Sequence, residues 1–204
     1  MSMDLTGITN KNEYYTNHYF STVFEENAGE TIRAWNAASR ESEELRTPWS
    51  MLRRNAAQFY AAHDRYMRSS FNMQLLYYIK DQADRYLSAL GYPEAAPLSV
   101  AINDTLTVPV YLEMKKSNGA PLLWVVLMAS AETDAGIMES FSFEASELDE
   151  TSYGAILKGT LGTVPGEELA TKVLFAQQEP PRFLILIGMN QIALIDRNKW
   201  NENI

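Results

Sequence analysis

The sequence predicts an α+β protein, with N-terminal helices packed on a mixed sheet. Three observations lead there. Apolar residues recur at helical spacing as far as Gly91. Beyond Pro93 and Pro97 the apolar runs become short and strand-like. Two of those runs are joined by Ser117-Asn118-Gly119-Ala120, and Asn-Gly between apolar runs is the strongest short hairpin signal.

The elements follow in order. Asn12 is placed to cap a helix from Glu13 to Glu25, rich in Tyr and Phe. A second helix is predicted from Gly29 to Glu44, stopping near Thr47-Pro48 because the residue before proline disfavours helical geometry. A third runs from about Trp49 to Met67. A fourth, "SSFNMQLLYYIKDQADRYLSALGY", places Met73, Leu76, Tyr77, Ile79 and Lys80 in one region, then Ala83, Tyr86, Leu87 and Leu90, a spacing that fits a buried stripe, and stops at Gly91. Then come the strands "LSVAIND", "VPVYLEMKK" and "LLWVVLMAS", an acidic loop or insertion over 131–160, a helix from Pro165 in "PGEELATKVLFAQ", and a hairpin of "RFLILIG" with "QIALIDR". Strands in this order with an intervening helix make a mixed sheet. Residues 1–69 read as a helical extension and 70–204 as the α/β core.

Composition narrows the function classes. With 204 residues, 46% hydrophobic and 21% charged, the chain is long enough and apolar enough for a proper core. It has no cysteine, which excludes disulfides, thiolate metal sites and a cysteine nucleophile. The start lacks an apolar signal core, and no run approaches the roughly 18 apolar residues of a membrane span, so a cytoplasmic protein is expected. The net charge of -9 argues against a free-standing nonspecific nucleic-acid binder. The charge is polarised, however. Arg46, Arg53, Arg54, Arg65 and Arg68 face only Asp64, whereas the stretch Glu132 to Glu150 holds seven acids and no base. On a continuous helix Arg54, Arg65 and Arg68 fall on one side, with Arg53 at the edge, as a phosphate-contacting stripe would. A solvated face is the plain alternative.

Chemistry is suggested by the first arm of the hairpin. Strand alternation sends Tyr111, Glu113 and Lys115 to one face and Val110, Leu112 and Met114 to the other. A carboxylate beside an ammonium suits divalent-metal phosphodiester cleavage, the acid holding Mg²⁺ and the lysine orienting the attacking water. A second carboxylate must complete the oxygen shell, and Asp104 lies just upstream. An exposed Glu-x-Lys that merely solvates a strand is the structural alternative. His18 and His63 are far apart in sequence without i+4 partners, so no histidine metal site or Ser-His-Asp set is built.

The Asn-Gly hairpin with its first-arm acid, Pro-apolar second arm and Glu-x-Lys resembles the PD-(D/E)xK nuclease fold. The resemblance offers two registers. In one, Asp104, Glu113 and Lys115 are the catalytic set, with Asp104 and Glu113 as metal ligands. In the other, Glu113 is the first-arm acid, and the Glu-x-Lys belongs at the end of the second arm. Val126-Leu127-Met128-Ala129 stands there, and the site is degenerate. More loosely, "EYYTNHYF", "LGYPEAAP", "VPVYLEMKKSNGAPLLWV" and "EPPRFLILIGMNQIALIDRNKW" look like the N-terminal region of single-chain type II (IIG/IIS-like) restriction-modification enzymes and related phage-defence adenine methyltransferases. That likeness implies DNA as partner, and a helical linker and methyltransferase domain after this region. It assigns S-adenosylmethionine to that absent domain, since Asn-Pro-Pro-Tyr and a Gly-rich cofactor loop are missing here. The reading from another class is a noncatalytic interaction domain that binds a partner protein through its acidic face.

Overall fold

The computed structural model describes residues 16, 18–42, 46–69, 72–101, 107–129, 136–140 and 165–200. The chain divides into two compact units, residues up to Arg54 and residues from Asn55 on.

In the first unit a π-helical turn, Tyr19–Phe24, runs directly into helix α1, Glu25–Glu41. The predicted break between Glu25 and Gly29 is therefore absent. Gly29 is a buried interior position, where a Cβ would approach the Arg33 guanidinium at 3.2 Å. Asn12 lies outside the described residues. Helix α2, Pro48–Arg54, begins at the proline, one residue before the expected start at about Trp49. The predicted third helix is in fact two. Asn55 forms a turn, and α3 restarts at Ala56 and runs to Arg68, with the Asn55 carbonyl accepting from the Phe59 N–H at 2.9 Å.

The second unit is a layered one. Helix α4, Asn72–Ala89, is followed by β1 (Leu98–Ala101), β2 (Thr107–Val110), β3 (Leu112–Lys115) and β4 (Pro121–Leu127). Helix α5 begins at Gly166–Glu168 and continues as a π-helical turn, Leu169–Leu174. Then come β5 (Phe183–Ile187), β6 (Ile192–Asp196) and a single turn, α6 (Arg197–Trp200). β1 and β2 form an antiparallel pair, and the main sheet has the order β3-β4-β5-β6. Within it β4 and β5 are parallel and the flanking pairs antiparallel. The mixed sheet predicted from sequence is present. A parallel pair needs a crossover, and α5 lies in the one that joins β4 to β5.

β4 is the centre of the core, and its residues from Leu123 to Leu127 are all buried. A strand with both faces covered reads as one continuous apolar run. Leu123, Val125 and Leu127 face Leu76, Ile79, Ala83 and Leu87 of α4, joined by Ile185 and Ile187. Trp124 and Val126 face Leu169, Ala170, Val173 and Leu174 of α5, joined by Leu184, Leu186 and Ile195. The runs 108–116 and 121–129, expected as antiparallel neighbours at the centre of a sheet with the 70–90 helix on one face, are paired through β3 and β4 with α4 on one face, but 107–110 pairs with β1 in a separate two-stranded sheet. β4 is interior to the sheet, whereas β3 is its end strand. α3 adds Phe59, Ala62 and buried Tyr66 to the α4 side, which places it with the sheet unit. Burial raises the pKa of the Tyr86 phenol, partly offset by its hydrogen bond with Gln82.

Two turns behave as their sequences demand. Gly91 adopts φ 81°, the left-handed conformation that ends a helix most cheaply. The Tyr92 N–H donates to Leu87 O at 2.9 Å and the Gly91 N–H to Ser88 O at 3.1 Å, the paired bonds of a Schellman motif. At the hairpin tip Gly119 has φ 85°, and the Ala120 N–H donates to the Asn118 side chain at 3.2 Å.

The strand arm from Val108 to Lys115 departs from simple alternation. Val108 and Val110 pack in the α5-facing cluster, but Tyr111 and Leu112 both belong to the α4-facing one. The Tyr111 N–H donates to Val125 O at 2.7 Å, and Val125 is also the ladder partner of Leu112. Two residues therefore oppose one, as at a β-bulge. The expectation that Tyr111 shares a face with Glu113 and Lys115, and Val110 with Leu112 and Met114, is corrected: the extra residue flips the alternation at Tyr111.

Candidate functional site

Glu113 sits opposite Trp124 in the β3–β4 ladder, so both side chains lie on the α5 side of the sheet. Its two carboxylate oxygens have different partners. The Trp124 indole N–H donates to Oε1 at 3.0 Å, and Lys115 Nζ pairs with Oε2 at 3.0 Å. Trp124 is buried, and a buried indole N–H needs an acceptor. The Glu113 side chain is only 13% exposed and supplies that acceptor, while Lys115 remains largely in solvent. The Glu-x-Lys is therefore a half-buried structural bracket as well as a charge pair.

Register explains why Trp124 is the partner. The Lys116 N–H donates to Ala120 O at 2.8 Å, and Lys115 pairs with Pro121. The ladder then shifts between Met114 and Lys115, so that Met114 meets Leu123 and Glu113 meets Trp124. Counted from the turn without that irregularity, Glu113 would stand opposite Leu123 and reach no donor. The sequence carries one hint of the pairing, a tryptophan in an otherwise aliphatic strand whose N–H must be satisfied somewhere.

Asp104, the proposed second carboxylate, lies outside the described residues. Among the described residues no three His, Asp or Glu side chains converge as a metal-binding group. At the end of β4 Leu127 and Met128 are buried, and the Met128 N–H donates to Ile187 O at 2.9 Å. Leu127 packs on the α4 side and Met128 on the α5 side.

The arginines are distributed over two helices. Arg53 and Arg54 end α2, and Arg65 and Arg68 lie in the last turn of α3. All four are exposed. Arg68 pairs with Asp64 at 2.9 Å, an exposed i,i+4 contact worth a few tenths of a kcal/mol, about 0.3–0.5. Arg54 and the α3 arginines do not share one helix, because α2 ends at Arg54 and α3 starts at Ala56. Arg53 and Arg54 belong to the first unit, and Arg65 and Arg68 to the second.

The polar feature that the sequence did not disclose is on the opposite face of the sheet. The Tyr111 hydroxyl donates a hydrogen bond to Asp84 Oδ1, and Lys80 Nζ approaches Asp84 Oδ2 at 3.5 Å. Lys80 Nζ also lies 5.9 Å from the Tyr111 ring centroid. Lys80 and Asp84 are one turn apart on α4, a spacing visible in the sequence, but the bulge that turns Tyr111 toward them is not.

No family model matches the chain, and neither the curated proteins nor the solved structures include a significant match to it. No helix among the described residues is long and apolar enough to cross a membrane.

The bracket reading gives an expected result. Glu113→Ala will lower the unfolding free energy by about 1–3 kcal/mol, because it leaves the Trp124 N–H buried without its acceptor. Glu113→Gln keeps an acceptor and loses only a partly exposed ion pair, so it will cost less than about 1 kcal/mol. Urea denaturation of the two variants separates the terms. Equal stability of Glu113→Ala and the parent chain would remove the bracket.

Proposed function

We propose that this chain is the nuclease-like N-terminal region of a restriction-modification protein of the single-chain type II kind, with a lapsed nuclease site, and that it positions DNA rather than cutting it. The order α4, three strands, α5 and a strand parallel to β4 supports the nuclease-like reading. The observation that carries the lapse is at the end of β4. Leu127, Met128 and Ala129 occupy the place where the resemblance puts the Glu-x-Lys, and Leu127 and Met128 are buried among apolar side chains. A carboxylate and an ammonium there would need desolvation that nothing nearby offsets. Mg²⁺ would be needed only by the other register, through Asp104 and Glu113 with Lys115. S-adenosylmethionine belongs to a domain outside this chain.

DNA contact is assigned to the basic side chains. Arg65→Ala with Arg68→Ala will weaken binding to every sequence alike and reduce the slope of log K against log salt by about 2, near 0.9 for each phosphate no longer neutralised. Arg53→Ala with Arg54→Ala, tested separately, reports whether the first unit also touches the backbone. Filter binding across a salt series measures both. An unchanged slope in both double variants makes these arginines solvated faces and removes the DNA-positioning role. Plasmid incubated with the chain and Mg²⁺ or Mn²⁺ will stay intact. Cleavage that disappears in Lys115→Ala would establish the live register instead.

A further inference from the structure

The Schellman turn that ends α4 delivers Tyr92 and the following segment to one side of the helix's last turns. A cleft of about 390 Å³ opens there, lined by Lys80, Asp84 and Leu87 of α4, by Tyr92 and Glu94, and by Tyr111. Its volume is at the small end of the range typical of small-molecule sites, roughly 300–1,000 Å³. Leu87 and Tyr111 are buried and give it an apolar floor.

The charges in the cleft are unequal. Lys80 is answered by Asp84, whose other oxygen is held by the Tyr111 hydroxyl. Glu94, an exposed residue of the connecting segment, has no ion-pair or hydrogen-bond partner among the described residues. The lining therefore carries two carboxylates against one ammonium, beside two phenol rings. An anion would meet Asp84 and Glu94 with only a committed lysine to receive it. A cation gains Glu94 by a charge-assisted hydrogen bond and gains the partly exposed Tyr92 ring as well. Lys80 over the Tyr111 ring already uses that attraction.

We propose that this cleft binds a guanidinium, amidinium or ammonium group carried on a short apolar stem. The source is either a free small molecule or the arginine or lysine side chain of a peptide. The proposal is independent of any role of the basic side chains of α2 and α3 in DNA positioning.

Amide chemical shifts of the 204-residue chain, titrated with benzamidinium, N-acetyl-arginine amide and benzoate, test it. Both cations, or benzamidinium alone, will produce saturable shifts confined to the last turns of α4, the Tyr92–Pro97 segment and Tyr111, with dissociation constants in the millimolar range or tighter. Comparable affinity for the arginine amide identifies a peptide side chain as the source, and binding of benzamidinium alone identifies a free molecule. Benzoate will produce no such pattern. Glu94→Gln, a change on an exposed segment, will weaken the cations about tenfold, the scale of one charge-assisted contact. Absence of saturable shifts with both cations, equal shifts with benzoate, or unchanged affinity in Glu94→Gln each overturns the proposal.

Discussion

Ile79→Ala will lower the free energy of unfolding by about 2–5 kcal/mol. Ile79 is fully buried at the middle of α4 and packs with Ala83, Leu87 and the α4-facing residues of β4 and β5. Truncation removes apolar area that is worth roughly 1.5–3 kcal/mol for a whole side chain, and it leaves a hole. The hole cannot close easily, because its far wall is a strand buried on both faces. The matched control is Leu194→Ala on β6. Leu194 is 67% exposed, so its loss will shift stability by no more than about 0.5 kcal/mol. Urea midpoints at unchanged m-value give both numbers. Similar small losses in the two variants would mean that α4 is not packed on the sheet.

Gly166→Ala is the second expected large effect. Gly166 starts α5, and its N–H donates to Ser140 O at 2.8 Å while the Glu167 N–H donates to Met138 O at 2.9 Å. The segment 136–140 therefore lies directly against the start of α5. A Cβ at Gly166 would sit 2.7 Å from Ile137 O and 3.2 Å from Met138 Cα, both backbone atoms, and 3.1 Å from Leu186 Cδ1. Backbone cannot rotate away as a side-chain tip can. The variant must push the segment off the helix or strain both, at a cost of about 1–3 kcal/mol. Gly136→Ala is the control, since a Cβ there meets nothing within 4 Å. A Gly166→Ala chain as stable as the parent would show that this contact is loose.

The parts of the fold legible in the sequence are those set by local rules. The centre of the α4 stripe (Leu76, Ile79, Ala83 and Leu87, though Tyr77 and Leu90 of the predicted stripe are exposed), the unbroken apolar run of β4, the Asn-Gly hairpin and the Gly91 stop each follow from spacing or from a single residue's backbone preference. The illegible parts depend on partners distant in the chain. Gly29 reads as a helix boundary but is an interior residue of α1, because helix propensity is weak against packing. Asn55 sits unmarked inside a helical pattern and nonetheless interrupts the helix. At the candidate site the pair Glu113 and Lys115 was visible, and its engagement with Trp124 was not. That engagement depends on a ladder shift beyond Met114, and strand alternation contains no term for it. The same blindness hid the Tyr111–Asp84 contact, since one added residue reverses which face every later side chain reaches.

The bulge at Tyr111 has a further consequence. Tyr111 and Glu113 are near neighbours in the chain, yet they open onto separate compartments of the molecule, one roofed by α4 and the other by α5. The single strand arm is a partition wall with a fitting on each side. A side chain exchanged in the acid–lysine bracket makes no direct contact with the tyrosine–aspartate pair, and the reverse holds too.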